Sequence, residues 1–263
     1  MGRHSPSSAA LTVDRSRPRA PVRVPIPRLK EGDHALGPRV AHYLVHVHRL
    51  HAGDRFAAFD PDCGLEADAL VLEVSEKDLV ARVGPLRAAA IVATREVTWI
   101  QALPKGEKMD SIVRDATELG ATRIVPATSS FTVVKLEGPR REARRQRWER
   151  IAQEAARQCG RSDVPSISPV LPWSDALGAG EAGRAGFCLY EKATAPIGPA
   201  LALACGSVGA LAFAAGPEGG LSPEEVLQAS ERGFDIVSLG RFILRAETVA
   251  AATLGALRAF EQN

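Results

Sequence analysis

The stretch that decides the fold is Ala214-Ala-Gly-Pro-Glu-Gly-Gly-Leu-Ser-Pro-Glu-Glu225, in which an apolar strand ends in a glycine-rich loop. A helix is predicted to follow, because Ser222 suits the N-cap, Pro223 the first helical position and Glu225 the end of a capping box. Glycines allow the backbone to approach a ligand closely or to adopt positive φ. The stretch therefore predicts a strand–loop–helix unit whose loop is either a ligand-binding loop or a plain turn.

A second polar segment, Ser238-Leu-Gly-Arg-Phe-Ile-Leu-Arg-Ala-Glu-Thr-Val249, ends another predicted strand. The chain is expected to turn at Gly240, and a helix of small residues is predicted over 250–257. Arg245 and Glu247 form either a surface ion pair, the usual fate of such charges, or part of a site. The small residues favour close packing of this helix, including packing against another subunit.

The C-terminal two thirds of the chain alternates apolar strands with amphipathic helices. A helix is predicted over 109–119, because its apolar residues recur at helical spacing and Gly120 is a suitable C-terminal cap. This alternation indicates an α/β fold with a mostly parallel sheet covered by helices. Strands are predicted over residues 97–103, 123–126, 186–190, 210–215 and 236–239.

The N-terminal region has a different pattern, since short apolar runs separated by turn-prone residues indicate strands between residues 22 and 86. One helical segment interrupts them over 38–50. The pattern is typical of a small β-barrel domain. Its strands are predicted over residues 55–59, 69–74 and 79–83.

Length and composition fit a globular protein of one large or two modest domains, and the change of pattern near residue 90 favours two. The chain has 263 residues, of which 45% are hydrophobic and 24% charged, and its net charge is +2. We predict the β-barrel domain over residues 22–90 and the α/β domain over residues 91–263. Residues 1–21 lack the apolar core of a secretory signal, so a disordered leader is predicted there, with an RNA-contacting arm as the alternative. The small net charge neither indicates nor excludes a nucleic-acid partner, so the distribution of charge has to be examined.

Three patterns argue against a membrane, disulfide or metal protein. The uncharged stretch 193–217 is long enough to span a membrane, but its prolines and glycines favour a short helix and a buried strand. The four cysteines lack CxxC spacing, which predicts buried, reduced thiols in a cytoplasmic protein. Four histidines lie between His42 and His51 without an acid or cysteine that completes a metal site. We expect neither a metal nor a membrane span.

The segment Gly178-Ala-Gly-Glu-Ala-Gly183 matches the GxGxxG pattern of dinucleotide-binding loops. That fingerprint follows a strand and opens a helix. Here a predicted helical turn (173–177) comes first and a predicted strand (186–190) follows. The reversed order predicts an ordinary loop, and a dinucleotide oxidoreductase is an alternative that rests on this segment alone.

An arginine-rich helix is predicted over 139–161, with an apolar face that includes Trp148 and Cys159. Arginine outnumbers acid in this helix and lysine is absent. A charge run on a helix is usually a solvated face, but arginine favours bidentate contacts with phosphate. The helix is therefore predicted to contact RNA, with a solvated face as the alternative.

Together these segments resemble the ribosomal RNA small subunit methyltransferase E family, whose members methylate N3 of a uridine in 16S rRNA. The resemblance runs from about Val22 to Phe260 and rests on the order and spacing of several motifs. The matching text is His42-Tyr-Leu-Val-His-Val-His-Arg-Leu50, Gly53-Asp54, Leu103-Pro-Lys-Gly-Glu-Lys-Met-Asp110, Glu118-Leu-Gly120, Trp148, Gln158-Cys-Gly-Arg161, Pro165, Gly216-Pro-Glu-Gly-Gly220, Leu239-Gly240 and Ile243-Leu-Arg-Ala-Glu-Thr248.

The resemblance implies a trefoil-knotted α/β domain of the SPOUT superfamily, with a parallel sheet and flanking helices, preceded by a PUA-like β-barrel. It also implies S-adenosylmethionine (SAM) as methyl donor, 16S rRNA in the small ribosomal subunit as partner, a homodimer and a cytoplasmic location. SAM is expected at three loops, since open α/β sheets bind ligands at the carboxyl ends of strands. The cofactor-binding residues implied are Leu189, Tyr190, Glu191, Gly216, Pro217, Glu218, Gly219, Gly220, Ser238, Leu239, Gly240, Ile243, Leu244, Arg245, Ala246 and Thr248.

Methylation at N3 of uridine requires a base that removes the N3 proton, or a group that stabilises the anion formed on O2 and O4. Arg245 is the candidate anion stabiliser, and Glu247, Glu218 and Glu191 are candidate bases by position. A structural role for each of these acids is an equal alternative. Contacts with RNA are predicted for Arg49, Lys105, Arg144, Arg147, Arg157 and Arg161.

Two positions depart from the family pattern. Phe131 stands where these proteins usually have an arginine, and Phe242 stands where another arginine is common, with Arg241 displaced by one position. These changes leave open a methyltransferase that acts on another rRNA or tRNA site. A non-catalytic RNA-binding assembly factor is a further alternative, but the intact Gly216–Gly220 and 245–248 motifs argue against it.

Overall fold

The computed structural model describes residues 22–75, 78–133, 138–179, 184–207 and 209–261. The predicted leader (1–21) lies outside the described residues, as do residues 180–183 of the GxGxxG match. The remaining chain forms two sheets. The first sheet ends at Ala88 and the second begins at Val97.

The first sheet is mostly antiparallel, in the order β1-β3-β4-β5-β2, with β6 paired to β4. Among the strand pairs of the described residues in this sheet, β1–β3 alone is parallel. The three predicted strands are present, whereas β1, β2 and β6 were not individually predicted. The strands are β1 (Arg23–Pro25), β2 (Gly32–Leu36), β3 (Arg55–Asp60), β4 (Leu65–Val74), β5 (Leu79–Val83) and β6 (Arg87–Ala88).

The helical segment predicted over 38–50 is shorter in the structure. It consists of α1 (Pro38–His42) and one π-helical turn (Tyr43–Val47). Arg49 has a φ of 58°, a left-handed conformation that no helix continues through. The prediction was therefore wrong for the last three residues.

The second sheet is entirely parallel, in the order β10-β8-β7-β12-β11-β13, with β9 paired to β8. All five predicted strands are present, and none of their ends is shifted by more than two residues. Two-residue β9 and β10 were not predicted, because so short a run carries no periodicity. The strands are β7 (Val97–Ala102), β8 (Arg123–Thr128), β9 (Ser166–Ile167), β10 (Leu171–Pro172), β11 (Ala185–Leu189), β12 (Leu211–Ala215) and β13 (Phe234–Val237).

Helices cover this parallel sheet, and the predicted helices over 109–119 and 139–161 are present with slightly different ends. The helix predicted to start at residue 250 begins four residues earlier, so Glu247 and Thr248 lie in its first turn rather than ahead of it. The helices are α2 (Lys108–Glu118), α3 (Pro139–Cys159), α4 (Trp173–Ala176), α5 (Ile197–Cys205), α6 (Pro223–Glu231) and α7 (Ala246–Glu261).

The parallel sheet has a core on each face, as expected for strands buried on both sides. On one face, the ring of Phe213 stacks between those of Trp99 and Phe187, at centroid distances of 6.2 and 5.5 Å. Ile100 and Ala214 belong to the other face. This double burial explains why the strands read as continuous apolar runs, and the predicted helix and strand within 193–217 are α5 and β12.

A buried polar cluster joins the two sheets. Glu66 of β4 is 6% exposed and pairs with Arg23 and Arg87, each at 3.2 Å. Ser162, which follows α3, donates a hydrogen bond to the same carboxylate at 3.3 Å. Nearby, the guanidinium of Arg157 on α3 lies 4.1 Å from the ring centroid of Tyr43. These contacts hold the antiparallel sheet against α3.

The cysteines correct one expectation. Cys188 is buried, and burial, with a smaller contribution from Glu225, raises the pKa of its thiol to about 12. Cys63 is exposed, because it lies in the turn between β3 and β4. The prediction of buried thiols was therefore wrong for Cys63, and Cys159 and Cys205 are only partly buried.

Candidate active site

A cavity of about 510 Å³ opens at the carboxyl ends of β12, β11 and β13, three neighbouring strands of the parallel sheet. Three loops form most of its wall: residues 189–191 after β11, 215–221 after β12 and 239–247 after β13. These are the loops that the resemblance implied for the cofactor. Parallel strands bring them together because their carboxyl ends meet at one edge of the sheet.

Close backbone packing explains the glycines of the loop after β12. A β-carbon at Gly216 would lie 2.9 Å from the carbonyl carbon of Gly220, which no larger residue tolerates. Gly220 has a φ of +75°, in the left-handed region. Buried Gln101 on β7 donates a hydrogen bond to the Gly216 carbonyl oxygen at 3.0 Å. Helix α6 then begins with the predicted capping box between Ser222 and Glu225.

Lys108 on α2 lies between two carboxylates at the cavity wall. Its ammonium is 2.7 Å from Oε1 of Glu218 and 3.7 Å from Oε2 of Glu247. Glu218 also accepts hydrogen bonds from the backbone N–H of Lys105, at 3.1 Å. Glu247 has less: its Oε2 is buried and has no hydrogen-bond donor among the described residues.

These partners separate the two acids chemically. Burial opposes ionisation of Glu218, but hydrogen bonds from Lys108 and from backbone N–H groups outweigh it, so the pKa of Glu218 is below its ordinary value. The same contact raises the pKa of Lys108. Glu218 is thus held ionised and engaged by several donors, whereas the buried Oε2 of Glu247 forms only the longer ion pair with Lys108 and no hydrogen bond within the described residues.

The two remaining candidates lie at the rim of the cavity. Arg245 is exposed, and its guanidinium forms no ion pair within the described part of the chain. Glu191 is exposed, and its carboxylate lies 3.4 Å from the place that a β-carbon of Gly220 would occupy. Both side chains therefore border the cavity from its solvent side.

Comparison with known proteins identifies the family. A family model described as an RNA methyltransferase domain matches residues 93–258. The ribosomal RNA small subunit methyltransferase E of Mycobacterium tuberculosis is 32% identical over 80% of this chain and 80% of its own length. The same enzyme of Bacillus subtilis is 30% identical over 82% of this chain and 86% of its own length.

The chain belongs to the ribosomal RNA small subunit methyltransferase E family. A solved structure of a family member from Neisseria gonorrhoeae, bound to S-adenosyl methionine, is 28% identical, with a TM-score of 0.83. The match covers 92% of this chain and 98% of the other. The predicted family and the predicted α/β fold with a parallel sheet and flanking helices are confirmed.

The cavity of the present protein has the size and chemistry that SAM needs. Its volume lies within the usual range of small-molecule sites. The walls combine apolar side chains with exposed backbone of the glycine loop and with carboxylates that suit a cationic ligand. Fourteen of the sixteen implied cofactor residues line it: Leu189, Tyr190, Glu191, Gly216, Pro217, Glu218, Gly219, Gly220, Leu239, Gly240, Ile243, Leu244, Arg245 and Ala246.

Two implied cofactor residues do not line the cavity. Ser238 instead donates a hydrogen bond from its hydroxyl to the Ala195 carbonyl oxygen at 3.5 Å, which ties two loops together. Thr248 is exposed, and its N–H donates to the Arg245 carbonyl oxygen in the first turn of α7. The resemblance also missed lining residues, and Lys108, far away in the sequence, is the most informative. The others are Ala215, Leu221, Phe242 and Val249.

The predicted RNA contacts fall into different environments. Arg49 and Lys105 are exposed and Arg144 is partly exposed. Arg147 is exposed but pairs with Asp110 at 2.6 Å and with Glu107 at 3.1 Å. Arg157 lies over the ring of Tyr43.

Arg161 corrects the prediction for this helix. It is 3% exposed and lies just beyond the end of α3. It donates hydrogen bonds to the carbonyl oxygens of Thr117, at 2.6 Å, and Ala121, at 3.0 Å, and pairs with Asp163. Arg161 therefore caps the end of α2 in the interior and is not available to RNA.

The described residues contain no group of three His, Cys, Asp or Glu side chains that could hold a metal ion. None of the helices in the described ranges combines the length and the apolar character that a membrane crossing requires. Phe131 and Phe242, the two departures from the family pattern, are 49% and 75% exposed.

Proposed function

We propose that this protein transfers the methyl group of SAM to N3 of a uridine in 16S rRNA. The observation that carries the proposal is the cavity at the carboxyl edge of the parallel sheet, where the family's loops meet the buried Oε2 of Glu247, which accepts no hydrogen bond within the described residues. The names of the relatives support the rRNA substrate. The SAM-bound neighbour supports the cofactor.

The loops of the cavity would hold SAM, whose sulfonium supplies an electrophilic methyl group. Apolar side chains of Leu239, Leu244 and Val249 offer surface for an adenine ring, and Gly216 and Gly220 let backbone groups come close to the ligand. The carboxylates at the wall favour its positive charges. In this arrangement the chain's own residues mainly position the cofactor and exclude water from it.

The chain must also remove a proton from uridine N3. We assign this step to Glu247, because its buried Oε2 accepts no hydrogen bond within the described residues and the Lys108 ammonium, at 3.7 Å, is beyond hydrogen-bond distance. Glu218 is a poor base, since its pKa is lowered and its oxygens are engaged by Lys108 and Lys105. Arg245 lies at the rim, where its guanidinium would stabilise the negative charge that develops on O2 or O4.

Substrate binding would use the exposed cations near the cavity and on the N-terminal sheet. Lys105 lies in the loop after β7, beside the cavity, and Arg144 lies on α3. Arg49 follows the π-helical turn. Such contacts go to phosphates, so they give affinity that falls as salt rises and carry little sequence information. The uridine itself must be unpaired or flipped out to reach the cavity.

The architecture proposed with this function is the family's. The N-terminal sheet would be a PUA-like barrel (residues 22–90) that binds RNA, and residues 91–263 the SPOUT methyltransferase domain, with residues 1–21 as a leader. A trefoil knot would involve the segment after β13, where Ser238 pairs with Pro196 in the loop after β11. A homodimer is supported by the high exposure of Phe242 and Ile243 at the cavity rim. The location would be the cytoplasm, where ribosomes are.

The test is methyl transfer to small ribosomal subunits purified from cells that lack the modification. The RNA is digested after incubation with labelled SAM, and the methylated nucleoside is identified by mass spectrometry. N3-methyluridine at one 16S site is the expected product. Another methylated nucleoside would move the target to a different site. No transfer together with no SAM binding by calorimetry would refute a methyltransferase.

The variant Arg245→Ala tests whether Arg245, at the rim of the cavity, stabilises the negative charge on the uridine. Turnover should fall about a hundredfold, because a charge-stabilising donor is lost, while SAM affinity falls less. Arg123→Ala is the matched control, since Arg123 is exposed at the opposite edge of the sheet. Unchanged turnover of Arg245→Ala would remove this residue from the mechanism.

A further inference from the structure

Phe131 is an exposed aromatic residue at the same edge of the sheet as the cavity, in the loop after β8. It is 49% exposed and does not line the cavity. Strand β8 is the neighbour of β7, which in turn pairs with β12. The loop of Phe131 therefore extends the row of functional loops by two strands beyond the glycine loop.

The turn that carries Phe131 is held firmly. Ser129 N–H donates to Thr132 Oγ1 at 2.9 Å, and Thr132 N–H donates to the Ser129 carbonyl oxygen at 3.0 Å. Ser130 donates to Oε1 of Glu225 from its N–H at 2.6 Å and from its hydroxyl at 3.0 Å. The aromatic ring is thus presented to solvent from a fixed backbone, so little further ordering is needed when a ligand binds it.

Phe131 also contacts the glycine loop. A β-carbon at Gly219 would lie 2.9 Å from the β-carbon of Phe131, so the two residues are packed together. Gly219 lines the cavity as well. The ring therefore stands one residue away from the cavity, a separation that suits a nucleotide adjacent to the one in the cavity.

The surroundings of the ring suit nucleic acid. Lys105 is exposed in the loop after β7, the strand between β8 and β12, so a cation lies at the same edge of the sheet as the ring. Aromatic side chains beside cations are how proteins hold single-stranded RNA, because every base has a π-face that stacks on an aromatic ring. If the Phe131 ring served only to pack against other apolar side chains of this chain, it would be buried, whereas it is 49% exposed.

We propose that Phe131 is the stacking platform for an unpaired base next to the methylated nucleotide. The inference rests on the proposed function for the identity of the RNA. It makes Phe131 a specificity-determining residue, which holds the strand so that the target base enters the cavity.

The test compares Phe131→Leu with Phe131→Trp and with Phe260→Leu, an exposed aromatic on α7 that serves as control. Affinity for unmodified small subunits is measured by filter binding, and methyl transfer gives KM and kcat. Phe131→Leu should weaken affinity and raise KM about tenfold, with SAM affinity and the salt dependence unchanged, because stacking is not ionic. Phe131→Trp, which keeps an aromatic ring, should retain the RNA affinity and the KM of the wild type. Phe260→Leu should match the wild type in both.

Three results would overturn the proposal. One is wild-type RNA affinity in Phe131→Leu, and another is an equal loss of SAM affinity, which would mean that the ring only supports the glycine loop. The third is a changed oligomeric state in size-exclusion chromatography, which would assign the ring to an interface between copies of this chain. Failure of the wild type to methylate would count against the proposed function alone, since filter binding measures stacking without methyl transfer.

Discussion

The two sheets of this protein follow opposite plans. In the antiparallel sheet, β3, β4 and β5 are neighbours in sequence and in space, and their connections fall at both ends of the sheet. In the parallel sheet, neighbours such as β7 and β12 are far apart in sequence, and the functional loops all lie at one edge. The difference shows why the cavity lies where it does, because the parallel plan brings the carboxyl-end loops of strands that are distant in sequence together at one edge.

The largest test of this contrast removes one core ring from each sheet. Phe213→Ala, in the stacked ring trio, should cost about 3–5 kcal/mol and abolish SAM binding. Phe56→Ala, buried in the antiparallel sheet, should cost a similar amount but leave SAM binding intact. All three tryptophans (Trp99, Trp148 and Trp173) lie in the C-terminal part, so their fluorescence reports that part alone. Urea unfolding is followed by tryptophan fluorescence, which reports the parallel sheet, and by circular dichroism, which reports both sheets, so that the loss of stability can be assigned to one sheet. Loss of SAM binding in Phe56→Ala would contradict the contrast.

A second test compares a carboxylate of the C-terminal region, Glu247, with a carboxylate of the antiparallel sheet, Asp60. Glu247→Gln should lower the rate of methyl transfer at least a hundredfold, because the proposed base is lost, while stability changes little. Asp60→Asn should do the reverse. Asp60 is 4% exposed and accepts backbone hydrogen bonds from Leu29 and Asp62, each at 3.0 Å, so stability falls by about 1–2 kcal/mol while turnover stays. Single-turnover kinetics and urea unfolding measure both, and a normal rate for Glu247→Gln would exclude it as the base.

The junction between the sheets gives a smaller effect. Tyr43→Leu removes the ring beneath Arg157 and should weaken the coupling of the sheets by about 1 kcal/mol. The fluorescence and circular dichroism midpoints should then move further apart in urea. Tyr43→Phe keeps the ring face and is the control. Midpoints that stay together in Tyr43→Leu would show that other contacts, such as the Glu66 cluster, carry the coupling.

The smallest effect concerns pH. The pKa of Glu218 is lowered in the folded state, so its ionised form stabilises the fold above the unfolded value of about 4.3. This contribution is lost as pH falls through the lowered folded pKa. Glu218→Gln should therefore have a lower Tm than the wild type at pH 7, and the two values should converge in acid. Exposed Glu73→Gln is the control, and a constant difference at every pH would contradict the assignment.

The comparison also shows what the sequence could predict. The strands of the parallel sheet were recognisable because burial on both faces requires long apolar runs, as in Leu211–Ala215. In β2, Gly32–Leu36, only Leu36 is buried, so the strand left no hydrophobic pattern to detect.

A site residue was predictable where its role depends on neighbours in the same segment of sequence. Gly216 and Gly220 were found because glycine is required by their own loop. Lys108 was missed, because its role depends on Glu218, more than a hundred positions away. Arg161 was misassigned for the same reason, since its partners Thr117 and Ala121 lie on another helix and its following loop.

The pairing of Val97 with Leu211 has a consequence for how the molecule is made. Strand β7 is synthesised long before β12, so the backbone groups on the edge of β7 that pairs with β12 stay without their partners until β12 has been made. Contacts this distant in sequence also form slowly. The antiparallel sheet, with its local hairpins, can form while the rest is still being synthesised. We therefore expect the loops that build the cavity to meet only at the end of folding, so that a truncated or stalled chain already holds its N-terminal sheet but lacks an assembled cavity.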